Sequence, residues 1–260
     1  MRKKIKNKKT KETLTVYLLL RFLVIVCMVA QSMNGNWENV LLCVLTLLLF
    51  TIPTIFSETL NITLPSTLET IVYIFIFAAE ILGEVQSFYT YVIYWDSILH
   101  TINGFICAAI GFSLIDLLNT NDNIHVNLSP IFVSIVAICF SMTIGVIWEF
   151  FEYSVDKLLL KDMQKDTIVK TISSVALDEK KENNPIVVDN IEKTIIYTKD
   201  KEVVIEGGYL DLGINDTMKD LFVNFLGAIT YSLIGFLYIK NRDKYRFAEE
   251  FMLKRRKIEE

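Results

Sequence analysis

Four pairs of ionisable side chains stand within or at the ends of apolar segments of this chain, and each pair has a helical spacing. The pairs are Asp96 and His100, Glu80 and Glu84, Glu149 and Glu152, and Asp216 and Asp220. Because residues three or four apart lie on the same face of an α-helix, both members of a pair project from one side of their segment. Ionisable groups are costly in an apolar environment, so they are candidates for a functional site.

Acidic side chains that meet in a small apolar region need a compensating positive charge. The compensation comes from a metal ion, from protons shared among the acids, or from basic side chains. The basic residues near these acids are His100, Lys157 and Lys219, which are few for so many carboxylates. Oxygen ligands with one imidazole suit Mg²⁺, Mn²⁺, Ca²⁺ or Zn²⁺, and the residue types do not choose among them. We therefore predict a metal site, with a proton site as the alternative, formed by Asp96, His100, Glu149, Glu152, Asp216 and Asp220.

Five further polar residues are predicted to support this site: Glu80, Glu84, Asn103, Asp156 and Asn224. Asn103 and Asn224 continue two of the polar faces one turn deeper, where a side-chain amide can orient a carboxylate or bind an ion through its oxygen. No catalytic group or organic cofactor is assigned, because the chain has no Walker loop, GxGxxG fingerprint or GxSxG elbow.

The segments that carry these residues are long enough to cross a lipid bilayer. The chain has 260 residues, of which 52% are hydrophobic and 22% charged. A membrane-spanning helix needs about 20 mostly apolar residues. Six stretches qualify: 14–33, 37–56, 68–84, 96–118, 130–152 and 217–239. The sequence therefore predicts an all-α membrane protein with a six-helix transmembrane bundle, in which 14–156 holds helices 1 to 5 and 217–239 is helix 6.

Basic residues are concentrated towards the two ends of the sequence. Residues 1–12 and 240–260 hold 15 of the 26 Lys and Arg residues. The positive-inside rule places both basic segments in the cytoplasm, which agrees with an even number of spans. We expect 1–13 and 240–260 to be cytoplasmic segments that contact anionic lipid. Lipid contact and topology account for this charge, so no nucleic-acid partner is assigned.

A polar insertion, residues 157–216, separates the last two predicted spans. It contains 9 Lys and 12 Asp or Glu residues, and the predicted topology makes it extracytoplasmic. Residues 194–198 and 202–206 alternate in the manner of strands around a turn at 199–201, and two glycines follow the second run. This pattern predicts a small β-hairpin. The insertion is also a candidate surface for an extracytoplasmic partner.

Four short motifs that carry the polar residues resemble those of a known family. They are Trp95-Asp96-Ser97-Ile98-Leu99-His100 with Asn103-Gly104-Phe105, then Gly145-Val146-Ile147-Trp148-Glu149-Phe150-Phe151-Glu152, then Asp162-Met163-Gln164, then Asp216-Thr217-Met218-Lys219-Asp220-Leu221 with Asn224 and Gly227. Together they resemble the uncharacterised YjdF-like family of bacterial membrane proteins over roughly residues 70–240. The last motif is also similar to the Asp, Asn and Gly pattern of VanZ-like membrane proteins.

The YjdF-like resemblance implies a multi-pass protein of the bacterial plasma membrane, in a family without an established activity. The long insertion between Gln164 and Asp216 departs from the YjdF-like pattern. The resemblance therefore does not extend to a function of the insertion.

Three functions are compatible with an outward-facing acidic and histidine-containing site. The leading hypothesis is metal binding, with a metal-dependent reaction on an envelope lipid, since a bound metal can polarise a phosphoryl or carbonyl oxygen. The second is a proton-coupled transporter or channel component, although the sequence lacks the paired broken helices typical of transporters. The third is a structural or interaction protein with a polar helix-packing hub. The residues do not decide whether the protein is an enzyme.

Overall fold

The computed structural model describes residues 10–119 and 128–256. Most of the predicted basic N-terminus, 1–13, therefore lies outside the described residues, as do residues 257–260 of the predicted basic tail. Within the described residues, five helical segments are long and apolar enough to cross a membrane: Lys11–Met33, Trp37–Thr59, Trp95–Asn119, Pro130–Leu159 and Ile214–Lys240. The prediction of a multi-spanning helical membrane protein is confirmed.

The α-helices follow one another as α1 Lys11–Met33, α2 Trp37–Leu49, α3 Ile52–Thr59, α4 Ser66–Phe77, α5 Phe88–Tyr91, α6 Trp95–Asn119, α7 Pro130–Leu159 and α8 Ile214–Lys240. The second predicted span is divided between α2 and α3, and Pro53 lies in the first turn of α3. Proline has no backbone N–H to donate, so it is tolerated at the start of a helix and interrupts its interior.

The third predicted span, 68–84, is helical but changes its hydrogen-bonding pattern halfway along. α4 continues directly into a π-helix, Ala78–Val85. The α-helical part has 12 residues, which is shorter than the about 20 residues that a spanning α-helix needs. The predicted count of six spanning helices is therefore not confirmed, and the described residues contain five candidate spans.

The chain divides into two compact units. Residues up to Val146 and residues from Asp220 onward form the first unit, and Ile147–Lys219 form the second. A core cluster of the first unit packs small buried residues against large aromatic rings. Its small residues come from three helices and its rings from two of them: Ala108, Ala109, Ala137, Ala228, Phe112 and Tyr231. α6, α7 and α8 therefore share one core in the first unit.

The residues after α8 fold back onto the first unit. A 3₁₀-helix, Arg246–Glu250, precedes β8, Lys254–Arg255, which pairs antiparallel with β1, Ile62–Thr63. Three side chains of this region are buried: Ala248, Met252 and Leu253. Much of the predicted basic tail is consequently a packed element of the fold.

Three contacts show which helix termini lie on the same side of the first unit. The Thr13 hydroxyl in the first turn of α1 donates to the carbonyl of Ser66 at the start of α4 (3.4 Å). The Arg255 guanidinium in β8 donates to the carbonyl of Leu117 near the end of α6 (3.1 Å). Because β8 also pairs with β1, just before α4, the starts of α1 and α4 and the end of α6 lie on one side.

The second unit contains short antiparallel strand pairs. The predicted hairpin is confirmed, with β5 Lys193–Tyr197 paired to β6 Glu202–Glu206. Two further pairs were not predicted: β2 Ile168–Val169 with β7 Tyr209–Leu210, and β3 Ile172–Ser174 with β4 Ile186–Val188. Strands of two or three residues are too short to show an alternating pattern.

Asp211 anchors the second unit between β7 and α8. Its carboxylate accepts hydrogen bonds from the backbone N–H groups of Thr167 (2.8 Å), Gly213 (3.2 Å) and Asn215 (3.1 Å). Burial disfavours the charged carboxylate, but these hydrogen bonds and that of the Thr167 hydroxyl outweigh it and lower the pKa of Asp211 to about 2. Because the folded-state pKa is depressed, these bonds stabilise the unit above about pH 4, and their effect is lost as the pH falls towards 2.

We expect the Asp211→Asn variant to have faster amide exchange at Thr167 and Asn215 at pH 7. The free energy of local opening at these amides is expected to fall by about 1 to 2 kcal/mol. This figure discounts the pKa shift of Asp211 for solvent screening. Hydrogen-exchange mass spectrometry measures it, with Asp200→Asn in the exposed β5–β6 turn as the control. In the unmodified protein, the same amides should lose protection between pH 4 and 2 once intrinsic exchange rates are corrected. Unchanged exchange in Asp211→Asn at pH 7 would contradict the anchoring role.

Candidate metal centre

Helices α6 and α8 bring one imidazole and two carboxylates of the first unit together. The Nε2 atom of His100 lies 3.5 Å from Oδ1 of Asp96 and 4.0 Å from Oδ2 of Asp220. One potential ligand atom from each residue lies within 4.8 Å of the other two. Asp96 and His100 share a face of α6, as their spacing predicts, and Asp220 comes from α8.

This group is largely withdrawn from solvent. Asp220 is 1% exposed and His100 7%, whereas the Asp96 side chain is 27% exposed. Two ionised carboxylates beside one imidazole carry net negative charge even when the imidazole is protonated, and burial makes that charge costly. A divalent ion with bonds of about 2.0 to 2.2 Å holds neighbouring donor atoms about 3 to 4 Å apart. The donor types and the two separations from the imidazole, 3.5 and 4.0 Å, therefore fit a divalent metal ion.

One turn deeper, a pair of asparagines links the helices that carry these ligands. Nδ2 of Asn103 on α6 donates to Oδ1 of Asn224 on α8 (3.1 Å), and Nδ2 of Asn224 donates to the Ser141 carbonyl on α7 (3.5 Å). Asn224 is fully buried, and a Cβ on Gly145 of α7 would lie 2.9 Å from its Nδ2. The predicted supporting residues Asn103 and Asn224 thus fix the relative positions of three helices.

Glycines let α6 and α8 touch at their backbones beside this amide pair. A Cβ on Gly104 would overlap the carbonyl oxygen of Asn224, and a Cβ on Gly227 would overlap that of Thr101. The Ser141 hydroxyl adds a hydrogen bond to the Gly104 carbonyl (2.9 Å). Sequence reasoning did not assign Ser141, although a serine within an apolar helix is a common interhelical hydrogen-bond partner. The space between α6 and α8 is closed at this level.

Glu149 and Glu152, two further predicted ligands, lie on α7 in the second unit. They are 4% and 8% exposed, respectively. The indole N–H of Trp148 donates to Oε1 of Glu152 at 3.0 Å. Both side chains are buried carboxylates, and their role as metal ligands stays a prediction.

Asp156 holds the loop that follows α7 in the second unit. Its Oδ1 accepts the Met163 N–H (2.6 Å) and its Oδ2 accepts the Gln164 N–H (2.9 Å). Nε2 of Gln164 in turn donates to the Thr217 hydroxyl in the first turn of α8 (2.5 Å). These bonds give the Asp162-Met163-Gln164 motif a physical role, because they tie the end of α7 to the start of α8.

Asp216 joins the same loop from the α8 side. Its Oδ2 accepts the Lys165 N–H (2.9 Å), and its Oδ1 is paired with the Lys219 ammonium (3.0 Å). Both carboxylate oxygens therefore have partners within the second unit. Asp216 remains a predicted ligand by its spacing from Asp220, but its contacts favour a positioning role.

The predicted supporting residues Glu80 and Glu84 lie on the π-helix. Glu80 is half-buried and Glu84 is exposed. The π-helix contacts the short helix α5 that precedes α6, because Gly83 leaves room for the ring of Tyr89. π-helical turns occur frequently at functional sites, so the supporting role predicted for these two acids is retained.

These observations define a class: a helical membrane protein with a buried carboxylate and imidazole group next to a close helix contact. The chain belongs to the family described as predicted membrane protein (DUF2238), whose model matches residues 13–241. The matched region includes all the candidate site residues and the polar insertion. No curated protein and no solved structure matches the chain.

Proposed function

We propose that this protein binds a divalent metal ion at Asp96, His100 and Asp220. The observation that carries the proposal is the spacing of 3.5 and 4.0 Å between the imidazole nitrogen and the two carboxylates. Among these four ions, imidazole suits Zn²⁺ best, whereas carboxylates suit Mg²⁺, Ca²⁺ and Mn²⁺ as well, so Zn²⁺ is the first ion to test. Glu149 and Glu152 are kept as further candidate ligands on their sequence spacing. For Asp216, which the sequence also predicts as a ligand, we propose a positioning role because both carboxylate oxygens are already paired.

A reaction on an envelope lipid is the chemistry that we propose for this ion. When bound, a divalent ion supplies Lewis-acid polarisation of a phosphoryl or carbonyl oxygen. Asp96 is the most exposed of the three residues, so a headgroup would approach the group on its side. Asp220 and His100 would hold the ion from the buried side, and the asparagine pair would keep the two helices in register.

Six crossings, with both basic segments in the cytoplasm, are the topology that we propose. α4 starts on the side of the first unit where α6 ends. The chain between these points must therefore leave that side and return to it. The return is α6, so the outward crossing is α4 with its π-helix, Ser66–Val85. A sixth crossing supports an extracytoplasmic insertion. The plasma-membrane location is proposed from the YjdF-like resemblance alone.

The contact between α6 and α8 favours binding or catalysis over transport. Transport through the bundle needs a path beyond the polar group. The backbones of α6 and α8 touch at Gly104 and Gly227, so a path between them would require these helices to separate. Proton-coupled transport remains the alternative, and a proteoliposome assay that detects solute-dependent proton movement would favour it.

Metal analysis of the purified full-length protein tests the proposal. After dialysis against Zn²⁺, Mn²⁺, Mg²⁺ or Ca²⁺ and removal of free ion, we expect about one divalent ion per chain by plasma mass spectrometry, with Zn²⁺ retained best. His100→Ala should lose the ion, while Asp243→Asn, at an exposed carboxylate after α8, should retain it. Metal-free protein that melts normally would contradict the proposal and favour a proton site or a structural hub.

We also propose two partners, anionic lipid and an extracytoplasmic molecule. The exposed basic residues of the C-terminal region favour anionic lipid, since such residues are attracted to a negatively charged leaflet. The insertion remains a candidate surface for an extracytoplasmic partner. Deletion of residues 166–210 tests this second proposal, because binding of such a partner should be lost while metal content stays unchanged.

A further inference from the structure

We propose that residues 86–94, here called the aromatic lip, insert into the lipid leaflet on the side where α6 begins. The partner is a lipid surface, which the lip contacts at the boundary between headgroups and acyl chains. The lip leads directly into the helix that carries Asp96 and His100, so its insertion places lipid headgroups at the level of the candidate metal centre. Insertion does not depend on whether an ion binds, whereas its use in a lipid reaction rests on the proposed function.

The position of the lip follows from the two elements that it connects. α4 begins on the side of the first unit where α6 ends, and α6 is long and apolar enough to cross the membrane. The start of α6 at Trp95 therefore lies on the opposite side. Two ring contacts hold the lip there. The ring of Tyr89 occupies the space that Gly83 of the π-helix leaves free, and the Phe88 ring packs edge-on against that of Trp95, with 5.0 Å between their centroids.

The lip and the residues on either side of it carry no charge. Residues 85–95 contain no Asp, Glu, Lys or Arg, and five of these eleven residues are aromatic. Connections that lie in water are usually rich in small polar residues, Gly and Pro. Tyrosine and tryptophan instead concentrate at membrane interfaces, because their rings enter the apolar layer while their polar groups reach water. The composition of the lip therefore favours the membrane interface over bulk water.

Three side chains of the lip form an uncovered apolar patch. Tyr91, Ile93 and Tyr94 are each between 74% and 79% exposed. The patch is continuous with the exposed surface of α6, because the Tyr94 carbonyl accepts the Ile98 N–H (2.9 Å) and the Ile98 side chain is also exposed. Large exposed apolar patches mark surfaces that bind a partner or a membrane. Since α6 is a spanning helix whose exposed apolar side chains contact lipid, lipid is the partner that extends over the lip.

Insertion of the lip determines what surrounds the candidate metal centre. Asp96 follows the last residue of the lip, Tyr94, by two positions, and its side chain is more exposed than those of His100 and Asp220. With the lip at the membrane interface, the first turn of α6 lies at the depth of the headgroups. Phosphate and carbonyl oxygens of the lipid then lie on the open side of the site. A membrane lipid, presented by its headgroup, is consequently the class of substrate that this position favours.

Quenching of tryptophan fluorescence in liposomes tests the insertion. The parent is the full-length protein with Trp37, Trp95 and Trp148 changed to phenylalanine, so that each variant has a single tryptophan. In Tyr91→Trp, lipids brominated in the upper half of the acyl chain should quench at least about twofold more than iodide present on both sides of the membrane. Tyr197→Trp in the β5–β6 hairpin is the matched control, because Tyr197 is also a tyrosine and is 75% exposed. Iodide should quench this variant and brominated lipid should not.

Ile93→Trp gives a second position with the same expected result, should Tyr91→Trp be poorly folded. Iodide quenching without bromine quenching at both positions would overturn the proposal. Protection from both quenchers would overturn it as well, because protein, such as a second copy of this chain, would then cover the patch. Zn²⁺ content of the unmodified protein, measured in parallel, separates the two proposals. Bromine quenching with no bound Zn²⁺ would support the lip and count against the metal site, and normal Zn²⁺ binding with an iodide-quenched lip would do the reverse.

Discussion

Replacing Asp220 with asparagine is expected to lower the affinity of the purified protein for Zn²⁺ at least about 100-fold, because outer-shell partners alone are worth about 10- to 100-fold. Asparagine keeps the size of the side chain but removes its charge. Asp220 is 1% exposed, and its Oδ2 lies 4.0 Å from Nε2 of His100. An acid on the protein surface therefore cannot readily take its place as a ligand. Competition with a chromophoric chelator measures the affinity.

Asp216→Asn is the matched control, since Asp216 lies one turn earlier on the same helix. Its carboxylate already has the Lys165 amide and the Lys219 ammonium as partners. We expect Zn²⁺ affinity to change less than about threefold, with faster amide exchange in the loop at 163–165 as the main effect. An equal loss of affinity in both variants would contradict the three-residue site and assign Asp216 to the metal.

Gly227→Ala is expected to lower thermal stability by about 3 kcal/mol or more, because the new methyl group would overlap the Thr101 carbonyl. Backbone atoms cannot move aside as a flexible side chain can, so α6 and α8 would have to separate. For a chain of this size, the expected fall in melting temperature is about 10 °C. Thermal unfolding in detergent, followed by loss of the monodisperse peak in size-exclusion chromatography, measures it.

Gly35→Ala separates steric overlap from backbone strain. A Cβ on Gly35 would meet no atom within 4 Å, but the residue has a φ of +75°. The expected cost is about 1 to 2 kcal/mol from the left-handed conformation alone. If Gly227→Ala melts no lower than Gly35→Ala, the stability of the packing between α6 and α8 does not depend on the contact between their backbones.

Local patterns predicted the parts of the fold that are determined within one segment. The apolar lengths of α1, α6 and α8 predicted spanning helices, and alternation predicted the β5–β6 hairpin. The packing of the residues after α8 was not predicted, because the burial of Met252 and Leu253 depends on contacts with residues far away in the sequence. The π-helix was also missed, since its apolar composition is that of an α-helical span.

For the candidate site, too, the sequence predicted only what is determined within one helix. The spacing of Asp96 and His100 placed both on one face of α6, which local geometry is sufficient to establish. Asp216 and Asp220 have the same chemistry and share a helix face, so the sequence treats them alike. They differ because the loop after α7 supplies hydrogen-bond donors to Asp216, and such a fold-dependent contact leaves no local signal.

α7 is longer than the hydrocarbon layer of a bilayer is thick. α7 has 30 residues, which corresponds to about 45 Å at 1.5 Å per residue. The hydrocarbon layer is about 30 Å thick, so α7 must either lean or extend into the headgroup region. Thicker membranes would let it stand more upright, and thinner ones would increase its tilt or its protrusion. Acyl-chain length is therefore a variable that reconstitution experiments on this protein should control.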